Sequence, residues 1–270
     1  MSQETRVVKV GSSAPGWLST YAEKDTSLDA VRKYRVLARA KLLQQMSKNL
    51  EAKKAYGEGA VLMVPGDACI AKAGEYFDFV PLMFFNEFSL WKDINDGSDT
   101  PIIIDRSANE NGELAQKARD PKQRREPYGE KKADGTFYMR RYVESLCFPG
   151  IIYGDHPLSG SPISLSFEKG EFFNGQAFCS ALMMRKVEQQ PVPLWAQVWR
   201  MSPALRQKKH NWWGFKFETP EEPYIREEEG ASFKQLHDDL VQYRKDQLLQ
   251  IDRSDAEDEV VTTADVEAEM

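Results

Sequence analysis

Apolar residues between positions 27 and 56 recur at the spacing of one side of a helix. Val36, Ala40, Leu43 and Met46 follow one another at intervals of three or four residues, as neighbours on a helix surface do. The pattern therefore predicts a helix over residues 27–56.

From Gly59 onward the pattern changes to strands separated by turns. Tyr76–Trp91 (YFDFVPLMFFNEFSLW) is rich in aromatic residues and is interrupted by Pro81, which predicts a strand, a kink and a second strand. The remaining apolar segments predict strands at residues 137–148, 162–167, 194–201 and 211–217, a short helix at 172–187 and a last helix at 233–251.

Three polar stretches surround or interrupt these elements. Residues 1–26 predict a flexible N-terminal arm. Residues 93–135 contain four glycines and three prolines and predict a long excursion that contacts the core again at residues 101–104. Loops of this length are usually functional or disordered. Residues 219–251 combine an acidic boundary with the last helix.

The order of these elements predicts a fold that is mainly β with helical flanks, in the α+β class. At least five strand-like segments surround one helix, without the regular alternation of strands and helices that parallel sheets require. We therefore expect an OB-like small β-barrel, with one inserted helix, over residues 27–218.

The distribution of charge distinguishes the C-terminal end of the chain from the rest. Residues 252–270 hold eight acids and one arginine and so carry −7; because the whole chain carries −6, residues 1–251 carry +1. We expect a disordered acidic tail that competes with nucleic acid for a basic surface or presents a binding site to other proteins. The tail residues expected to bind a partner are Asp255, Glu257, Asp258, Glu259, Asp265, Glu267 and Glu269.

Several classes of protein receive no support. The chain contains no apolar run near the roughly 18 residues of a membrane helix, and its first residues do not have the pattern of a secretory signal. Its three cysteines include no C-x-x-C pair, which argues against a disulfide scaffold. We expect a cytoplasmic protein, in the host cell if the protein is viral, that does not bind membranes.

Catalytic and cofactor motifs are equally scarce. No glycine-rich phosphate loop is present, and the three histidines lie far apart, so we expect no cofactor and no metal. Asp105 or Asp120 followed by Glu130-Lys131-Lys132 matches the letters of a metal-dependent nuclease. Glu130 follows a Pro-Tyr-Gly turn, however, whereas such a site requires a rigid strand. We therefore expect the protein not to be an enzyme.

Aromatic residues interleaved with bases are the strongest positive signal. Residues 117–141 carry +5 and residues 169–217 carry +6. Single-stranded nucleic acid binds where cations follow the phosphates and rings stack on the bases. The candidate binding residues are Arg140, Arg141, Tyr142, Arg200, Arg206, Lys208, Lys209, Trp212, Trp213 and Lys216.

Strand alternation limits how many of these side chains can be exposed. Trp212 and Trp213 are adjacent and must face opposite sides of a strand, so we expect one of them to be exposed. The same argument applies to Arg140 and Arg141. Large rings are usually buried, so Trp195 and Trp199 are both expected in the core.

Taken together, Tyr76–Trp91, residues 162–167, the helix at 172–187 and the pair LWAQVWRM…KKHNWWGFKF resemble bacteriophage single-stranded DNA-binding proteins of OB-like fold with acidic C-termini. The resemblance covers about residues 39–218. It implies that Ala40–Met46 is the first barrel strand, in conflict with the predicted helix, and sequence alone leaves this segment open. Some relatives carry cysteine pairs in the insertion, but this chain has none at 93–135, so no metal is implied.

These observations support three hypotheses in order of preference. The first is a sequence-tolerant single-stranded DNA-binding protein of phage replication or recombination, whose tail recruits replication or recombination proteins and which can form homo-oligomers. The second is a structural or adaptor protein of a phage particle that binds no nucleic acid. The third is a metal-dependent nuclease.

Overall fold

A computed structural model describes residues 36–45, 47, 49–92, 103–207, 211–246 and 249–251. The predicted N-terminal arm, the first nine residues of the predicted helix at 27–56 and the acidic tail lie outside this part of the chain.

The described residues form four α-helices and fourteen strands. The helices are α1 (Leu50–Tyr56), α2 (Glu113–Arg119), α3 (Phe172–Met184) and α4 (Gly230–Lys245). The strands are β1 (Val36–Leu42), β2 (Val61–Val64), β3 (Ala68–Ala71), β4 (Phe77–Pro81), β5 (Phe85–Trp91), β6 (Ile103–Ser107), β7 (Arg125–Lys131), β8 (Phe137–Tyr153), β9 (Pro162–Glu168), β10 (Lys186–Val187), β11 (Gln190–Pro191), β12 (Trp199–Gln207), β13 (Asn211–Glu218) and β14 (Gln250–Ile251).

One large sheet dominates the fold, and the 17-residue strand β8 organises it. The main path runs β13-β12-β4-β8-β9-β1-β2-β3. The C-terminal part of β8 pairs with β4 and β9, whereas its N-terminal part pairs with β5 and β7. Because β8 pairs with different strands along its length, the sheet branches at β8, with β5, β6 and β7 off the main path. Among the described strands β13 and β3 remain separate edges, and the sheet does not close into the expected OB-like barrel.

Helix α3 covers the main hydrophobic core of this sheet. Phe178 of the helix packs against Phe148 and Phe167, with ring centroids 5.0 and 6.0 Å apart. Gly175 allows this close approach, because a Cβ atom at that position would lie 2.6 Å from the Cβ atom of Phe167. The predicted helix at 172–187 is thus confirmed over Phe172–Met184.

The predicted helix over residues 27–56 is wrong at β1. Val36–Leu42 is a strand that pairs with both β2 and β9. Its side chains alternate, so Ala40 belongs to the main core while Arg39 and Lys41 lie on the opposite face. Sheet pairing therefore overrides the helical spacing of apolar residues. Among the described residues of this stretch, Leu50–Tyr56 forms part of the expected helix, and the strand implied by the resemblance is confirmed over residues 40–42.

The polar excursion is more ordered than its composition indicated. Ile103 pairs with Trp91 at the β5–β6 contact, which confirms the expected return to the core within the described part. Residues 103–135 then form β6, α2 and β7, so no long loop remains there. Ala115 and Ala118 of α2 pack on Phe88. Small apolar residues on one side of α2 are enough for the helix to pack against the sheet.

Two further boundaries differ from the prediction. Leu194–Ala196 forms a short 3-10 helix rather than a strand, and β12 begins only at Trp199. The last helix ends at Lys245; beyond it, Gln250 and Ile251 pair in parallel with β1. Tyr76–Trp91 gives β4 and β5 with the break after Pro81, as predicted. Of the two tryptophans expected in the core, Trp199 is buried, whereas Trp195, in the 3-10 helix, is only half-buried and packs against the cluster that contains Val198.

Candidate nucleic-acid interface

The antiparallel pairing of β12 and β13 brings four predicted residues onto one face of the sheet. Arg206 lies opposite Trp212, and Lys216 lies opposite Ser202. Because side chains alternate along a strand, Arg200 shares this face. The other face carries core residues such as Met201 and Phe215. We call Arg200, Arg206, Trp212 and Lys216 the hairpin surface.

A carboxylate holds two side chains of the hairpin surface in place. The indole Nε1 of Trp212 donates a hydrogen bond to Glu171 Oε1 at 2.9 Å, and Arg206 Nε lies 3.4 Å from the same oxygen. Gly214 leaves room for this carboxylate, since a Cβ atom there would lie 2.2 Å from it. The Trp212 ring is half-buried as a result.

The other two bases of the hairpin surface are also paired with acids. Arg200 lies 3.0 Å from Asp78 Oδ1, and its guanidinium lies 3.8 Å from the ring centroid of the exposed Tyr76. The hydrogen bond to Asp78 is the main cause of the raised pKa of Arg200. Lys216 Nζ lies 2.6 Å from Glu218 Oε1. The described part of the hairpin surface is therefore nearly neutral. Lys208 and Lys209 fall outside the described residues.

Trp213 has a structural position on the opposite face. Its ring lies over Gly59, where a Cβ atom would come within 2.6 Å of the indole and where φ is +79°. The Gln44 side chain bonds both its backbone N–H and its carbonyl at 2.8 Å. The two tryptophans do face opposite ways, as predicted, but both are half-buried, and the expected exposed ring is not found.

A second candidate surface lies on the hairpin formed by β7 and the first residues of β8, which we call the ribbon (residues 125–141). Tyr128 lies opposite Tyr138, with ring centroids 6.1 Å apart. Arg140 lies 4.8 Å from the centroid of Tyr128, and Lys132 Nζ lies 5.1 Å from that of Tyr138. Two rings and two cations thus alternate along the ribbon.

A third pair of ring and cation lies near the tip of the ribbon, on the face opposite to Tyr138, because Phe137 and Tyr138 are adjacent on β8. Lys131 Nζ lies 5.4 Å from the ring centroid of Phe137, which is 41% exposed. An Asp-Gly turn closes the hairpin: Asp134 accepts hydrogen bonds from the backbone and hydroxyl of Thr136, and Gly135 has a φ of +83°. The turn fixes which residues lie opposite each other.

Tyr142 anchors the base of the ribbon and is not exposed. Its side chain is buried, at 4% accessibility; its hydroxyl donates to Glu126 Oε1 at 2.6 Å and accepts from Lys117 Nζ at 3.0 Å. Burial raises the pKa of Tyr142, and the bond from Tyr142 lowers the pKa of Glu126. The expectation that Tyr142 stacks on a base is therefore corrected, because its ring faces α2.

Arg140 and Arg141 separate as strand alternation predicts. Arg140 is half-exposed on the face of Tyr128, whereas Arg141 is 6% exposed on the other face, in register with Trp91. Of the three candidates on β8, only Arg140 belongs to an accessible surface.

Sequence reasoning did not identify the other members of the ribbon as candidates. These residues are Tyr128, Lys131, Lys132, Phe137 and Tyr138. The signal was the charge of +5 over residues 117–141. The pairing of β7 with β8, which places the rings beside the cations, is not visible in that count.

The structure keeps the two candidate surfaces apart. The hairpin surface lies on β12 and β13, and β12 is connected to β8 through β4, which pairs with Gly150–Tyr153 of β8. The ribbon ends at Arg141 of the same strand. The stretch of strand from Arg141 to Gly150 spans about 30 Å. A single strand of nucleic acid that contacted both surfaces would have to cross this distance.

The comparison with known families decides the origin of the chain. A family model described as "Pam3 phage gp34-like protein" matches residues 8–239. The chain belongs to this phage protein family. The expected bacteriophage origin is thereby confirmed. No curated protein and no solved structure matches the chain.

In this gp34-like chain the ribbon and the hairpin surface both lie inside the matched residues. Within the described ranges no group of three or more His, Cys, Asp or Glu side chains is arranged to hold a metal ion. None of the described helices is both long enough and apolar enough to cross a membrane.

The structure also fixes the point from which the acidic tail starts. Ile251 is buried beside Phe85 and Cys147, and its carbonyl accepts a hydrogen bond from Arg106 at 2.7 Å. Arg106 lies opposite Ser89 of β5, which in turn lies opposite Val143 of β8. Cys147 lies six residues along β8 from Arg141, where the ribbon ends, and this stretch of strand spans about 20 Å; the tail therefore begins within reach of the base of the ribbon.

Proposed function

We propose that this phage protein binds single-stranded DNA without strong sequence preference and acts in phage DNA replication or recombination. The ribbon carries the proposal. It places Tyr128, Phe137 and Tyr138 each beside a lysine or arginine, at distances of 4.8, 5.4 and 5.1 Å, in a segment with net positive charge. Proteins that bind single strands use this combination of rings and cations.

In this proposal, base stacking and phosphate contacts both contribute to the affinity. Stacking of one base on one aromatic ring contributes about 1–3 kcal/mol. Two stacked bases thus contribute about 2–6 kcal/mol, and phosphate contacts to Lys131, Lys132 and Arg140 must supply the rest of the roughly 8 kcal/mol that corresponds to a Kd of about 1 µM. Such contacts use the faces of the rings and the phosphates, which every base and every sequence offers.

The hairpin surface has a secondary role in this proposal. Its bases are held by Asp78, Glu171 and Glu218, so a phosphate must compete with a carboxylate at each position. Trp212 offers only part of its ring. We infer that this surface contacts DNA only when the strand is long enough to cross the roughly 30 Å that separates it from the ribbon.

The tail supports a regulatory element of the same proposal. It carries −7 on 19 residues and starts about 20 Å from the base of the ribbon. A random coil of this length has an r.m.s. span of roughly 25 Å, which reaches the base of the ribbon. We infer that the tail competes with DNA in cis and that, once DNA displaces it, it recruits replication or recombination proteins.

The ribbon can be tested by binding of a fluorescent oligonucleotide at several salt concentrations. The parent should bind single-stranded DNA more tightly than duplex, with affinity falling steeply as salt rises. Lys131→Ala/Lys132→Ala should weaken binding and flatten the salt dependence. Lys54→Ala/Lys72→Ala removes the same charge at exposed positions outside the ribbon and should bind like the parent. Binding that is absent in the parent, or equally reduced in both variants, would reject the proposal.

One observation favours the alternative of a structural or adaptor protein of the phage particle. The outward face of α3 exposes Phe173 and Met184 at 77% and 78%, and exposed apolar surface of this kind marks protein contacts. A folded parent without measurable affinity for single-stranded DNA would favour this alternative.

A further inference from the structure

The ribbon has two faces, and each of them carries an aromatic ring beside a cation. Phe137 and Tyr138 are adjacent on β8, so their side chains point to opposite faces. Tyr138 shares its face with Tyr128, which lies opposite it on β7. Two cations accompany these rings, Arg140 and Lys132. We call this side of the ribbon the tyrosine face.

The other side, which we call the phenylalanine face, has one ring. Phe137 is exposed there, and Lys131 Nζ lies 5.4 Å from the centroid of its ring. Met139 lies two residues further along β8 on the same face and is also exposed. Each face thus offers what a single strand of nucleic acid needs, namely a ring for a base and a cation for a phosphate.

The outer part of the ribbon is only two strands wide. β5 pairs with β8 as far as Arg141, which lies opposite Trp91. Among the described strands only β7 pairs with the segment Phe137–Arg140. Packed sheets lie about 10 Å apart, so the ribbon with the side chains of both faces is about as thick. One strand of DNA therefore contacts both Tyr138 and Phe137 only by passing around the tip of the hairpin.

We propose that the ribbon binds the fork at which duplex DNA opens into two single strands, with one strand on each face. Fork binding of this kind rests on the binding of single strands proposed above and specifies the DNA structure that the ribbon recognises. The tyrosine face stacks bases of one strand, and Phe137 stacks a base of the other. The tip of the hairpin, at residues 133–136, then lies between the two strands.

The chemistry of the two faces favours a fork over other DNA structures. In an intact duplex the bases stack on one another and present only their edges in the grooves, so the rings of the ribbon would find no base to stack on. A lone strand on the tyrosine face leaves the ring of Phe137 unused. Lys131 lies beside the turn, and its flexible side chain can contact phosphates on either face. A fork supplies two unpaired strands that diverge from one point, one for each face.

Anisotropy measurements with labelled DNA at one salt concentration test fork binding by the full chain. The fork has two non-complementary arms of about ten nucleotides, within the usual site sizes, on a common duplex. The comparison substrates are the same duplex with either arm alone, the single arm and the intact duplex. The parent should bind the fork at least about fivefold more tightly than either one-armed duplex, which is the effect of one additional stacked base. The intact duplex should bind most weakly.

Variants of Phe137 show whether the second ring causes this preference. Phe137→Ala should bind the fork no more tightly than a one-armed duplex, while its affinity for the single arm stays within about twofold of the parent's, because the tyrosine face remains. Phe137→Tyr keeps a ring and should keep the preference for the fork. Phe173→Ala removes an exposed ring from α3, outside the ribbon, and should bind every substrate like the parent.

The single arm separates failure of fork binding from failure of the proposed function. A parent that binds the single arm but does not prefer the fork would overturn fork binding and leave the proposed function in place. Three further results would also overturn it: a Phe137→Ala variant that keeps the preference, a Phe137→Ala variant with the parent's circular dichroism that loses affinity equally for all substrates, or a parent that binds intact duplex as tightly as the fork. A parent that binds none of these DNAs would overturn both proposals.

Discussion

The guanidinium of Arg140 lies over the ring of Tyr128, 4.8 Å from its centroid, although the two residues belong to different strands. The arrangement depends on the pairing of β7 with β8, which also places Tyr138 opposite Tyr128. Proteins that bind single strands combine rings with cations in this way. The ribbon is therefore the most informative place for mutations.

Replacing either half-exposed tyrosine of the ribbon should weaken binding to single-stranded DNA. We expect Tyr128→Leu or Tyr138→Leu to reduce affinity by about 1–3 kcal/mol, the contribution of one stacked base, while leucine keeps the apolar bulk. Fluorescence anisotropy with a short oligonucleotide measures the change. Tyr224→Leu, at a tyrosine outside the ribbon that is 42% exposed, is the control and should bind like the parent. Unchanged affinity in both ribbon variants would place stacking elsewhere.

Removing bases of the ribbon should change the salt dependence as well as the affinity. For a single strand, each phosphate that a protein neutralises adds about 0.7 to the steepness of log K against log salt. Lys131→Ala/Lys132→Ala should therefore flatten the slope by about 1.4, uniformly across sequences. Weaker binding with an unchanged slope would show that these lysines stabilise the ribbon without binding phosphate.

Trp213→Ala should destabilise the fold, because the ring packs over Gly59 on the side opposite to the hairpin surface. Burial of a large apolar side chain contributes about 1.5–3 kcal/mol, so the half-buried Trp213 should account for about 1–2 kcal/mol of the free energy of unfolding. Urea denaturation measures it. A variant with the parent's midpoint would show that Trp213 is not a packing residue.

Tyr142→Phe should reduce stability in a way that depends on pH. The Tyr142 hydroxyl bonds the Glu126 carboxylate and is the main cause of its lowered pKa. A group with a lowered pKa stabilises the folded state above its unfolded pKa, and this contribution disappears as the pH falls through the folded pKa. The variant should be less stable by about 1.5–3 kcal/mol near neutral pH, as for a hydrogen bond to a charged group.

The same variant should approach the parent in stability once the pH falls below the ordinary range of glutamate, because Glu126 is then protonated in both proteins. Urea denaturation at several pH values gives this comparison. A stability difference that is constant across the acid range would show that the bond does not depend on ionised Glu126.

Truncation after Ile251 should tighten binding to single-stranded DNA, most strongly at low salt. The tail starts about 20 Å from the base of the ribbon, and at physiological ionic strength charges interact over only about 8 Å, so the tail must touch the ribbon to compete. A full-length variant with the tail acids replaced by serine should bind like the truncated protein. Equal affinities of parent and truncated protein at low salt would leave the tail only its role in recruiting partners.

Some features of this protein are determined locally and could be predicted. The kink at Pro81, the two strands around it and the helix over Phe172–Met184 follow from short-range patterns. Strand alternation correctly placed Arg140 and Arg141, and Trp212 and Trp213, on opposite faces. These outcomes depend on backbone geometry within a few residues, which sequence encodes directly.

Other features were decided only by tertiary structure. Val36–Leu42 has helical spacing of apolar residues but forms a strand because β2 and β9 lie on its two edges and satisfy its backbone. Tyr142 looks like a stacking residue in sequence, yet α2 covers it. The ribbon exists as a set of rings and cations only because β7 pairs with β8. Sequence thus determined which residues can bind and which face of a strand they occupy, whereas pairing and packing between distant segments decided which of them are buried and which lie together.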